Sequence, residues 1–187
     1  AGYGIGASGT LVPKADMVKG NAYTKLNSGK SELSLNYSGY YRHSNGMNTV
    51  EQADYLMEDN TYNKVERNTD DIINRNTSHE IQARYSMINA NGTAFLTTLS
   101  TSIDNNPRNY QKTNVAYSDG RNATEVINNS EKTVSPLLDL YFKTNVGKNQ
   151  TILANATGAY THTDYDYMFT SDKTSFGYNT LGKKWSL

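Results

Sequence analysis

Cysteine is missing altogether from the 187-residue chain. Its absence excludes disulfide staples, thiolate metal sites and cysteine nucleophiles together. Net charge is missing too: 18 lysines and arginines balance 18 acidic residues, which gives no reason to expect a nucleic-acid or anionic-membrane partner. No stretch approaches the ~20 consecutive apolar residues of a spanning helix, and the mean hydropathy is −0.73. These facts exclude a helical membrane protein only, because barrel strands alternate apolar and polar residues and give a weak bulk signal. The N-terminal Ala1-Gly2-Tyr3-Gly4 lacks the basic and apolar regions of a signal peptide. An exported protein of this kind is then either mature or an excised piece.

What the chain has instead is strand-forming and turn-forming material. Three prolines stand against 15 tyrosines, amid abundant Asn, Thr, Ser and Gly, a composition that favours strands joined by polar loops. Period-two alternation carries the fold. From Ser31 to Arg42, Leu33, Leu35, Tyr37 and Tyr41 share one face, opposed by Glu32, Ser34, Asn36 and Arg42. In His79–Ile88 the apolar set is Ile81, Ala83, Tyr85 and Met87; in Val134–Val146 it is Val134, Leu138, Leu140, Phe142 and Val146.

Asn27-Ser28-Gly29-Lys30, Asn89-Ala90-Asn91-Gly92 and Val146-Gly147-Lys148-Asn149 read as tight turns, because Asn and Gly tolerate positive φ. Two other connections read as long polar loops, 43–78 and 104–133. The expected strands are Gly2–Val12, Met17–Leu26, Ser31–Arg42, His79–Ile88, Thr93–Ile103, Val134–Val146, Thr151–Thr163 and Ser175–Leu187. Within the loops, Thr49–Met57 suggests a short helix, and Tyr110–Ser118 with Ala123–Asn128 a hairpin about Asp119-Gly120. The expectation is an all-β, antiparallel up-and-down meander of about eight strands in a single segment, 1–187, with short turns at one end and long loops at the other. Such asymmetry fits an outer-membrane β-barrel or a piece of a larger one. Periodicity does not separate this from a soluble sandwich whose apolar face looks inward. Recurrent tyrosines, including Tyr40, Tyr41, Tyr85, Tyr141 and Tyr160, suit either an interfacial girdle or simple strand propensity.

The glycine-rich Gly2-Tyr3-Gly4-Ile5-Gly6-Ala7-Ser8-Gly9, the turn in Tyr23-Thr24-Lys25-Leu26-Asn27-Ser28-Gly29-Lys30, and the Tyr/Ser-rich Leu33–Arg42 together resemble the first barrel strands of TonB-dependent outer-membrane receptors. Asn179–Leu187 has the same texture. The resemblance implies an outer-membrane location, uptake of a nutrient or metal-chelate ligand, and as partners the lipid bilayer, the remainder of the barrel, a plug and TonB. It implies that the chain comes from the N-terminal part of a barrel, since the plug is absent and such receptors have about 22 strands. A small self-contained barrel and a soluble extracellular adhesin-like, glycan-binding sandwich are the alternatives.

No catalytic, cofactor or metal residue can be assigned, and no ligand-binding residue is nominated. His162, Asp164 and Asp166 alternate and would share a face, as cation ligands could, but a polar strand end explains them as well. Glu66 with Asn68-Thr69-Asp70-Asp71 reads as a solvated acidic loop, and His43 and His79 as loop-base residues. Asp104-Asn105-Asn106 and Asp119-Gly120 lack the spacing of a calcium loop. Neither a nucleophile elbow nor a phosphate loop occurs. The sequence therefore points to a non-enzyme.

Overall fold

The alternating runs pair in chain order. The computed structural model describes residues 1–187, the side chain of Ala15 excepted. It is one antiparallel sheet of eight strands in the order β1-β2-β3-β4-β5-β6-β7-β8. They are β1 Gly2–Val12, β2 Met17–Ser28, β3 Ser31–Leu56, β4 Tyr62–Ile88, β5 Ala94–Tyr117, β6 Asn122–Val146, β7 Gln150–Ser171 and β8 Ser175–Ser186. A single 3₁₀ turn, Pro13–Ala15, joins β1 to β2. Each strand hydrogen-bonds only its sequence neighbours, and β1 and β8 do not pair, so the sheet is open.

The expected meander and the three Asn/Gly turns are present, with Gly29, Gly92 and Gly147 all at positive φ. The long loops are not. Residues 43–78 and 104–133 are continuations of strands: β3 runs on to Leu56 and β4 begins at Tyr62, while β5 runs on to Tyr117 and β6 begins at Asn122. Thr49–Met57, read as helical, is strand as far as Leu56, paired residue by residue with Tyr62–Thr69. The hairpin about Asp119-Gly120 is there, as the tip of the longer β5–β6 hairpin.

The physical reason lies in bulges. The β3–β4 register slips around Met47, the β4–β5 register between Asp70 and Ile73 and between Arg75 and Thr77, and the β5–β6 register between Asn106 and Asn109. Gly46 (φ 73°) and Asp71 (φ 56°) hold the left-handed conformation that an inserted bulge residue needs. An extra residue reverses the in/out parity of everything beyond it. Below the bulges, odd positions of β3, β4 and β5 share the apolar face; above them, odd positions share the polar one. A period-two reading therefore loses its phase there.

Below the bulges the register gathers the apolar faces of β1–β7 into one. Ile5, Thr24, Leu35, Ala83, Leu99, Leu138 and Gly158 are successive partners across seven strands. Tyr3, Leu26, Leu33, Tyr85, Thr97, Leu140 and Ala156 form the next row. Nothing lies over this face: Leu35 is 43% exposed, Leu99 53% and Leu138 41%. The whole chain exposes 12,888 Å², whereas a compact chain of this mass would expose roughly 8,900 Å². Among the described residues only Val65, Val115, Thr69 and Thr113 are buried, all of them above the bulges.

The turns also set a slope. Ser31 is level with Met87, Phe95 and Phe142 through successive partners. The β2–β3 turn closes at the pair Ser28/Ser31, but the β6–β7 turn closes at Val146/Gln150, four residues beyond Phe142. Four residues of drop over four strand steps, at ~3.3 Å per residue and ~4.8 Å per step, incline the line of turns by roughly 35° to the hydrogen-bonded rows.

Candidate functional site

The two sides of the sheet below the bulges differ in chemistry. On the apolar side of β1–β7 no Asp, Glu, Lys or Arg occurs over runs of nine to thirteen residues, such as Tyr3–Leu11, Ser31–Tyr41 and Val134–Val146. The opposite side carries Lys19, Lys25, Glu32, Glu80, Arg84 and Asp139. There Lys25 Nζ lies 2.8 Å from Glu32 Oε2, and the Thr157 hydroxyl donates to Asp139 Oδ1 at 2.6 Å. Cross-strand hydroxyl pairs join this side, with Ser135 donating to Thr161 at 3.3 Å and Thr133 and Thr163 oxygens 3.1 Å apart. A strand whose one face is charged at mid-length and whose other face is bare of charge separates a wet space from an apolar one.

Two histidines on the apolar side are paired with tyrosines. His79 is not at a loop base; it stands within β4, opposite Gly39. Its Nδ1 lies 2.8 Å from the Tyr37 hydroxyl, and the two rings stack at 6.0 Å. The Tyr37 ring also covers Gly39, so a Cβ there would strike the hydroxyl. His162 repeats the arrangement on β7: its ring stacks on Tyr160 at 6.4 Å, with the hydroxyl 3.5 Å from Nδ1. Tyr160 meets Trp185 of β8 at 4.2 Å. These rings mark the edge of the uncharged belt on the side away from the tight turns. His43 too lies within a strand, paired with Arg75.

The three alternating residues of β7 do share a face. His162 Nε2 approaches Asp164 Oδ2 at 3.4 Å, but Asp166 is engaged by the Asn179 amide, which donates to it from β8. Among the described residues no group of three His, Asp or Glu side chains converges on a common point. The acidic run on β4 is likewise dispersed. Glu66 and Asn68 point to one side, Thr69 to the other, and Asp71 is a bulge residue. The Asn68 and Gln52 amides donate to the two oxygens of Glu66 at 2.8 and 2.9 Å. These bonds, Asn68's first, hold its carboxyl below the ordinary carboxylate range.

Above the bulges, the side continuous with the polar wall carries a feature that the alternation reading missed. Tyr165, Tyr167 and Phe169 of β7 face Tyr178 and Phe176 of β8. Tyr167 stacks on Tyr178 at 5.1 Å, and Phe169 meets Phe176 at 5.2 Å. On the same side Arg67 reaches Glu125 at 3.6 Å across the β4–β6 span. The clue in the sequence was the alternate spacing of Tyr165, Tyr167 and Phe169, which sets three rings on one face of a strand. Comparison of the chain with models of protein families and with curated proteins found no match.

Proposed function

We propose that the chain is a wall segment of an outer-membrane β-barrel, of the type through which TonB-dependent receptors take up a nutrient or metal chelate. The uncharged, uncovered belt is the observation that carries this reading. Nine to thirteen residues per strand, inclined by roughly 35°, give a belt ~24–35 Å tall, enough for the band and close to the strand tilt that a bilayer asks of a barrel. An apolar face of this size left in water would be strongly unfavourable, at ~25 cal/mol for each Å². Lipid removes that cost without a second protein layer.

In this reading the polar wall lines a wet interior, and the hairpins above the bulges rise past the bilayer on the outward side. The half-exposed rings of Tyr165, Tyr167 and Tyr178 then meet an incoming ligand. Energy would arrive through TonB acting on a plug, as the resemblance implies, and further strands would pair with the open edges of β1 and β8.

Single cysteines at Leu35 and Leu140 test the reading in the reconstituted protein. The expected outcome is contact with lipid or detergent at both, reported by a polarity-sensitive label. A soluble sandwich instead buries both against protein, with the protein monomeric and free of membrane without detergent.

A further inference from the structure

Just beyond the uncharged belt, on the same outward side, the register lines up three basic residues. His43 of β3 is the direct partner of Arg75 of β4, and Arg75 is the direct partner of Arg108 of β5. Directly opposed side chains on one face stand ~5 Å apart, where like charges repel. The Arg108 guanidinium lies over the Tyr110 ring at 5.3 Å, and both arginines are exposed. None of the three takes part in an ion pair among the described residues. Several acids on this side are engaged elsewhere: Asp164 by His162, Asp166 by Asn179, Asp70 by the Asn114 amide, and Glu66 by Asn68 and Gln52.

The geometry points to an anion held by this row, and its position identifies the anion as the phosphate of a lipid headgroup. The row lies one step above Tyr41, Thr77 and Asn105, where the belt ends. An acyl chain lying along the belt brings its phosphate level with Arg75 and Arg108, whose guanidinium forks suit bidentate phosphate contacts. The chain's zero net charge conceals this local excess. The inference rests on the membrane reading proposed above.

The test uses the full chain in phosphatidylcholine bilayers, with spin-labelled phosphatidic acid or phosphatidylcholine as probe. The expected result is a preference for phosphatidic acid that falls about five-fold for each arginine neutralised, in Arg75→Gln and Arg108→Gln, and that weakens at high salt. Arg75→Lys should keep most of it. No preference by the wild type, or the same preference in the double variant, overturns the headgroup site, provided that a label at Leu138 still reports lipid contact. Loss of the preference on adding millimolar inorganic phosphate overturns the lipid as its source. A Leu138 label without lipid contact overturns the membrane reading itself, and this site with it.

Discussion

The sheet below its bulges and the hairpins above them are one continuous ladder, yet their side-chain chemistry differs. Below, Asp, Glu, Lys and Arg side chains are confined to one side; on the other, His79, at the edge of the uncharged belt, is bonded to Tyr37. Above, both sides carry charged side chains, carboxylates such as the half-buried Glu66 and the exposed Asp119 are bonded locally, and the few buried side chains among the described residues are found. Backbone pairing alone does not dictate where side chains may be charged. In the proposed reading the surrounding medium does, and the bulges at Gly46, Asp71 and Asn106–Asn109 lie where it changes.

A charge placed in each region tests that contrast hardest. Leu138→Arg, in mid-belt, should destabilise the bilayer-inserted protein by about 2–4 kcal/mol, read from urea unfolding in lipid vesicles. Met168→Arg, on the same side above the bulges and already 50% exposed, should change stability by less than about 0.5 kcal/mol. Equal costs would erase the distinction between the regions.

A hydrogen-bond deletion probes the belt more gently. Tyr37→Phe leaves His79 without its partner, at a cost of about 1–3 kcal/mol, again from unfolding in vesicles. Thr174→Val, in the exposed β7–β8 turn, should be nearly silent by comparison.

The smallest effect is one of pH. The Arg121 side chain and backbone N–H both bond to Asp119 and lower its pKa below the ordinary 3.8. A lowered native pKa adds stability above the unfolded value and loses it as pH falls through the native one. Amide exchange at Arg121 should therefore accelerate, beyond its intrinsic pH dependence, only below about pH 4, with amides of the belt unaffected.

Much of this organisation is legible in the sequence, and the illegible part has a definite boundary. The strand Gly2–Val12 and the starts of β2, β3 and β8 fall where alternation puts them, because Leu33, Leu35, Ile81, Leu138 and their partners share one apolar face that fixes phase. The upper strands escaped for two reasons. Asp71 and Gly46 shift parity, and Asn68, Asn74 and Asn109 are poor strand formers that hold strand geometry because both neighbours pair with them. The cationic row was invisible for a further reason: His43, Arg75 and Arg108 are far apart in the chain, and only the register sets them side by side.

The most direct measurement is a tryptophan scan along β6 in a Trp185→Phe background, with lipids brominated on their acyl chains. Quenching should alternate from Val134 to Phe142, strong at Leu138 and Leu140 and weak at Asp139 and Tyr141, and should vanish at two control positions on β4 above the bulges, Val65 and Thr69. Quenching without alternation, or none at Leu138, would contradict a lipid-facing belt.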